Sequence, residues 1–461
     1  MSLLSAMTGS TRAANIEDAF REKDITSMEM RQAVKTWMSM YFERTGPEDE
    51  DECQRLPVLV VNKLCKTVFA EYDITADGDM QSFLHPLLRR LDTVRKKAIQ
   101  QTFAGGECFI KPVLCRDGFD FVTVRRDCFV PFARDAHGRI TRAGTIQVTV
   151  ENGKYYTLAE RRSVGENGEL TIESRLFVSH NADVLGAEIP LDTLPQYADL
   201  EPVAVIPNIY NLGMVQIKTP LLNCVDGSDD GVAVYAPAAR LIQNINRNER
   251  QLCREFENGA SRIIASADML VTGTDGRKRL TDDVFVGIDD DPETVGVTVY
   301  SPTLREASYL ARKQEYLRNI ESLIGLKRGI LSEVEAAERT ATEITSSQGD
   351  YNLTIQDFQE MWEAAVRELL ETCIRLGTAY HLVSGGAFLP EKDVVIDWGD
   401  GVLYDRDRTW TEYQSMVAAG LLKPELAVAW YFDLPHETPA DLERIRRDYM
   451  PEMEDMTEGD A

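Results

Sequence analysis

Long apolar runs are missing from this chain of 461 residues. No stretch approaches the roughly 20 continuous apolar residues that a membrane-crossing helix needs, and Met1 to Ala14 has no apolar region of the secretory-signal type. The expectation is a protein made and used in a cytoplasm. Histidine is scarce, with five residues and no HExxH or HxH arrangement. The eight cysteines (Cys53, Cys65, Cys108, Cys115, Cys128, Cys224, Cys253 and Cys373) include no CxxC pair. Zinc ribbons, redox dithiols and histidine-based catalytic centres all need such groups at set spacings, so they are disfavoured. The cysteines are expected to be reduced residues of the core. A Walker loop is absent as well. In Gly273-Thr-Asp-Gly276-Arg-Lys278 the spacing cannot bring backbone amides, a lysine and a magnesium-bound hydroxyl together on phosphates, and the segment reads as a hairpin turn. No GxSxG elbow occurs, and Asp289-Asp-Asp-Pro-Glu293 lacks the spacing and glycine of an EF-hand. That acidic cluster reads as a solvated loop, with weak cation binding as the alternative. No cofactor, no metal and no catalytic constellation are expected, and the chain reads as a non-enzyme.

Positive charge is short too. Lys and Arg number 50 against 76 Asp and Glu, a formal charge of −26, which is the wrong sign for gripping a nucleic-acid backbone by counterion release. Two readings of the acidity stand: it confers solubility only, or it lets DNA slide past without sticking.

What is present is enough apolar residue, 43%, to bury a core, and enough length for two to four units at about 100–200 residues each. Amphipathic helices are predicted around Ile25 to Phe42, Val58 to Tyr72 and Met80 to Thr102, with the acidic run Glu48-Asp-Glu-Asp-Glu52 as a solvated loop between the first two. Past Gly105-Gly106 the apolar period changes from about 3.6 to 2. From Cys108 to Ser179 short alternating strands are punctuated by Asp117-Gly118, His137-Gly138, Asn152-Gly153 and Asn167-Gly168, dipeptides that supply the positive φ angles of hairpin turns. This reads as one antiparallel meander packed on the N-terminal helices. A helix with Pro237 in its first turn follows, its stripe formed by Leu241, Ile245, Leu252 and Phe256, with Arg240, Arg247, Arg250 and Arg254 mostly elsewhere on its surface. A β-rich excursion, Ile263 to Tyr300, separates it from a second helix in which Leu310, Leu317 and Ile324 recur every seven residues. Both stripes read as packing surfaces. Gly325 ends the second helix, residues 326–339 form a loop, and a long helix is predicted from Thr340 to Leu382. Shorter helices around Thr409 to Gly420 and from Pro424 precede an acidic tail that is expected to be disordered from Glu452. The fold class is α+β.

This order of parts resembles the portal proteins of tailed bacteriophages, the SPP1-like portal family. The most specific local match is Ile324-Gly325-Leu326 through Glu338-Arg-Thr-Ala-Thr-Glu-Ile344 and Tyr351, which looks like the family's Ile-Gly-Leu element and Thr-Ala-Thr-Glu helix start. Asn62-Lys-Leu-Cys-Lys-Thr-Val68, the segment Pro202 to Asn211, and Asp397-Trp398 with Asp405-Arg406-Asp407 and Tyr413-Gln-Ser-Met-Val-Ala-Ala-Gly420-Leu421 are similar to further family segments. The likeness spans about residues 55 to 450. It implies a wing at 1–235, stem helices at 236–260 and 303–325, a clip at 261–302, a tunnel loop at 326–339, a long wing or crown helix at 340–390, and a crown with the acidic tail at 391–461.

The resemblance also implies a function: a virion protein at the unique capsid vertex, a conduit for packaging and ejecting double-stranded DNA, and a nucleator of capsid assembly. The implied partners are about eleven further copies in a closed ring, the major capsid protein, a scaffolding protein, the large terminase subunit and a head–tail connector. DNA would pass non-specifically and no membrane is involved. About twelve copies at −26 each would carry about −312, so a bore that repels phosphate is physically plausible. The implied tunnel-loop residues are Lys327, Arg328, Ser332, Glu333 and Arg339. For Lys327 and Arg328, phosphate contact and ordinary solvated helix-end charge both stand. The implied clip surface for terminase and connector carries Arg277, Lys278, Arg279, Asp289, Asp290 and Asp291. Two rivals are kept: an oligomeric scaffold or adaptor that does not conduct DNA, and a nucleic-acid-processing enzyme with an acidic metal site.

Overall fold

Apolar residues at helical spacing shape the N-terminal region. In the computed structural model they form α1 (Thr11–Phe20), α2 (Met28–Phe42) and α3 (Leu56–Val68). The structure describes residues 11–42, 54–116, 118–259, 262–265, 270–272, 278–280, 297–300, 303–333, 341–383, 388–399, 406–432, 434–436 and 438–450. The acidic run Glu48–Glu52 and the tail from Glu452 lie outside them. The helix expected to reach Tyr72 stops at Val68, and the β-branched pair Ile74-Thr75 falls in a short strand, β1 (Asp73–Ala76). Helix α4 (Gln81–Gly105) buries Leu84, Leu87, Leu88, Leu91, Ala98, Ile99 and Phe103, an i, i+3, i+4, i+7 stripe turned to the core. It ends at Gly106, whose φ of +90° and close approach leave room for no other residue: a Cβ there would lie 2.3 Å from the carbonyl oxygen of Gly231.

The strands do not form the single meander that the turn signals predict. The hairpin of β2 (Glu107–Cys115) and β3 (Gly118–Arg125) belongs to a three-stranded sheet completed by β10 (Val215–Lys218). A second sheet contains β4 (Phe129–Arg134), β5 (Ile140–Glu151), β6 (Lys154–Val164), β7 (Glu169–Ser179) and β8 (Ala187–Ile189), and β9 (Val203–Pro207) also pairs with β7. A 3₁₀ turn at Arg126–Cys128 separates the sheets. Its buried Arg126 is pinned by Glu107 at 2.8 Å and Asp230 at 3.6 Å, which takes the chain out of the first sheet's plane. The β5–β6 turn is Asn152-Gly153, with φ of 51° and 75°, as that dipeptide predicts. Helix α1 covers the second sheet, burying Ile16, Ala19 and Phe20 against Val130, Phe132, Ile146, Ala159 and Phe177.

Two buried ionic groups tie these layers. Lys111 on β2 meets Glu160 on β6 at 2.7 Å, and Arg162 stands 3.6 Å from the same carboxylate while donating to the carbonyl of Leu212. Burial opposes ionisation of Glu160, but Lys111 and Arg162 outweigh it and hold its carboxyl at about 2. At Glu107 burial wins over Arg126, so that carboxyl is pushed up, although Gln216 also donates to it.

Beyond the sheets come α5 (Ala239–Asn258), preceded by a 3₁₀ turn at Ala236–Ala238 that holds Pro237, then α6 (Glu306–Ile324) and α7 (Ala341–Ala379). In α7, Trp362 is fully buried and the Phe358 ring packs at a tilt against Phe103, centroids 4.7 Å apart. The chain ends in α8 (Pro390–Asp393), β15 (Val394–Asp397), α9 (Arg406–Ala418), α10 (Pro424–Phe432) and α11 (Pro439–Tyr449). The class is α+β, as expected. Contacts divide the chain into two units, Met1–Val68 with Thr75–Val395, and Phe69–Ile74 with Ile396–Ala461. In the smaller unit Phe69, Tyr72 and Trp398 form an aromatic cluster, and a Thr438–Asp441 capping box starts α11.

The cysteines correct one expectation. Cys65, Cys108 and Cys373 are buried, but Cys115, Cys128 and Cys253 are half-buried and Cys224 is exposed, so four of the described seven are not core residues. Cys53 lies outside the described residues.

Candidate functional site

Helices α5 and α6, about 30 Å and 28 Å long at 1.5 Å per residue, pack antiparallel. Arg305 makes two bonds to Glu255 at 2.9 and 2.7 Å, Asn248 donates to the carbonyl of Tyr309 at 3.1 Å, and Lys313 meets Glu249 at 2.9 Å. Residue numbers thus fall on one helix as they rise on the other. Burial is confined to one end of the pair: Ile242, Ile245, Asn248 and Leu252 on α5, and Leu317, Ile320, Glu321 and Ile324 on α6. From Glu306 to Tyr316 no residue is buried, so this half projects. The excursion between the helices contains two antiparallel pairs, β11 (Arg262–Ala265) with β14 (Val297–Tyr300) and β12 (Leu270–Thr272) with β13 (Lys278–Leu280).

The loop after α6 is held by one side chain. Gly325, at φ +76°, ends the helix in the left-handed region, and the amide of Leu326 donates to the carbonyl of Glu321 at 2.8 Å. The Glu321 side chain, 0% exposed, accepts the backbone amides of Gly329, Leu331 and Ser332 at 3.1, 2.6 and 2.9 Å and the Ser332 hydroxyl at 2.7 Å. A carboxylate with four donors can stay in the interior without a cation. The result is a loop whose path is set from inside.

The structure distributes the predicted residues as follows. Ile245, Leu252, Leu317 and Ile324 are buried and Leu241 is half-buried, whereas Phe256 and Leu310 are 48% and 51% exposed. Those two sit on the projecting half, and the buried row of α5 runs through Ile242 and Asn248. In the loop Arg328 and Glu333 are exposed and Lys327 is half-buried. Ser332, expected to face outward, is 8% exposed and turned onto Glu321, which corrects that assignment. Arg339 lies outside the described residues, as do Arg277, Asp289, Asp290, Asp291, the turn at Asp275-Gly276 and the strand candidate Val284–Val286. Lys278 and Arg279 are in β13, opposite Thr272 and Val271.

Two features were missed. Glu321 has no sequence signal that separates it from a solvated acid near a helix end. A groove of about 510 Å³ is lined by Arg240, Gln243, Asn244, Arg247 and Asn248 of α5 with Arg312 and Tyr316 of α6, and by no carboxylate-bearing residue. Arg240 and Arg247 stand seven residues apart, a spacing that puts them on one stripe. Among the described residues no group of His, Cys, Asp and Glu could hold a metal ion, and no helix is long and apolar enough to cross a membrane.

With the helix–excursion–helix–loop arrangement in place, comparison assigns its class. The profile of the family described as phage portal protein, SPP1 Gp6-like, matches residues 132–452, which include both helices, the excursion and the loop. The chain belongs to that family, one of structural proteins. No curated protein matches. Among solved structures, the neck of a native gene transfer agent particle computed with C12 symmetry is similar at 12% identity over 92% of this chain and 98% of that one, with a TM-score of 0.46. A virion of a native gene transfer agent particle is similar at 12% identity over 92% and 99%, with a TM-score of 0.43.

Proposed function

We propose that the protein assembles into a closed ring of about twelve copies at one vertex of a phage capsid, through which double-stranded DNA is packaged and ejected. The observation that carries this reading is the family match across residues 132–452. The antiparallel pair with its projecting half supports it physically. Side chains exposed in one copy, Phe256 and Leu310 among them, suit burial between neighbours, and a ring of such pairs can enclose a channel. The acidic chain, at −26, would let phosphate pass without adhering. In this reading the clip, 261–302, docks the large terminase subunit and later the head–tail connector. ATP hydrolysis resides in the terminase, and the ring nucleates capsid assembly with the scaffolding and major capsid proteins.

The test is reconstitution of capsids from the same particle with and without this chain. Shells that fill with DNA only when the chain is present support the reading, and equal filling without it rejects the reading. Metal-dependent nuclease or ATPase activity in the purified chain would favour an enzyme instead.

A further inference from the structure

The groove between α5 and α6 is positively charged in a strongly acidic protein. Arg240 and Arg247 are exposed, and neither has a carboxylate within ion-pair distance among the described residues. Arg312 stacks over Tyr316 at 4.5 Å and holds Glu315 at 2.8 Å. Gln243 and Asn244 add amide groups that can donate to an acid. Such a lining suits a run of carboxylates.

A second flank of α5 is occupied by the described segment that starts at Gln54. Gln54 is anchored there: its amide donates to Asn246 at 3.1 Å, and Lys313 donates to its side-chain oxygen at 3.0 Å. At about 100° per residue, Asn246 lies about 130° around α5 from the centre of the groove lining, so the two fall on different flanks of the helix. Two residues before Gln54 the sequence closes five consecutive acids, Glu48-Asp-Glu-Asp-Glu52. In a cyclic ring each subunit meets its neighbour through two different flanks. We infer that the arginine groove of one copy receives the acidic run Glu48–Glu52 of the adjacent copy, an ion-paired contact that orients subunits around the ring. The inference rests on the ring reading above. A net charge of −26 disfavours nucleic acid as the occupant.

The experiment uses two charge-reversed full-length proteins, Arg240→Glu with Arg247→Glu, and Glu48→Lys with Glu50→Lys and Glu52→Lys, examined by mass photometry. Each alone should form rings about tenfold less than wild type, because like charges then face each other. An equimolar mixture should recover to within about twofold of wild type, since each reversed groove meets a reversed run in alternating subunits, and recovery also demonstrates that both are folded. Should circular dichroism find a reversal unfolded, Arg240→Gln with Arg247→Gln takes its place, with about a threefold fall expected. Rings formed normally by each variant alone overturn the inference. So does a mixture that fails while one chain carrying both changes assembles, which makes the contact internal, and so do intact rings that merely lose DNA retention. A wild type that forms no ring under any condition defeats the portal reading itself and is thereby distinguished.

Discussion

Glu321→Ala should release the loop without unfolding the protein. The side chain accepts three backbone amides and one hydroxyl, and no other side-chain acceptor serves Gly329, Leu331 and Ser332 among the described contacts. Hydrogen bonds to a charged acceptor contribute about 1.5–3 kcal/mol each, but four on one carboxylate act as a unit, so their joint loss is about 3–5 kcal/mol. At the lower bound the opening equilibrium of the loop rises about 150-fold. Hydrogen exchange read by mass spectrometry on peptides covering 326–333 should report that acceleration, with much smaller changes in the β5–β6–β7 strands. Glu321→Gln keeps one acceptor oxygen and can donate to the Ser332 hydroxyl, so about half of the effect is expected. Exchange of the Leu331 amide within about twofold of wild type in Glu321→Ala would refute the claim that this carboxylate sets the loop's path.

Other consequences concern the two sheets and the loop surface. Glu160 titrates near 2 when folded against 4.5 for the free side chain, so its ion pairs contribute about 3 kcal/mol that is present above pH 4.5 and lost as pH falls toward 2. Denaturant melts of wild type and Glu160→Gln should therefore differ most near neutrality and converge over that window, and a constant gap between pH 6 and pH 3 would contradict the assignment. Gly106→Ala forces a Cβ to 2.3 Å from the carbonyl of Gly231 at a φ of +90°, so a loss of about 3 kcal/mol or more is expected in thermal unfolding. Lys327→Ala with Arg328→Ala should alter DNA packaging or retention with ring assembly intact, and unchanged packaging removes phosphate contact from the proposal.

Local chemistry explains which parts of the molecule the sequence discloses. Turns at His137-Gly138, Asn152-Gly153 and Asn167-Gly168 are legible because positive φ restricts the residues that can stand there. The split into two sheets is not, because β2 takes as its partner Val215–Lys218, about a hundred residues away, and because a buried arginine, Arg126, turns the chain between β3 and β4. The helix pair is legible as two amphipathic segments around an excursion. Which row of α5 faces inward is not: the buried row runs through Ile242 and Asn248, and the projecting ends leave Phe256 and Leu310 exposed. Glu321 and Ser332 illustrate the same limit, since a buried carboxylate with backbone partners has the same letters around it as a solvated one. The seven-residue spacing of Arg240 and Arg247 is visible in the sequence, but the groove appears only when Arg312 and Tyr316 come from the other helix.

The most direct test of the portal reading is electron cryomicroscopy of the purified protein. The expected result is a closed ring of about twelve subunits whose α5–α6 pairs surround an axial channel wide enough for a duplex of about 20 Å. A stable dimer, or an assembly without such a channel, would contradict it.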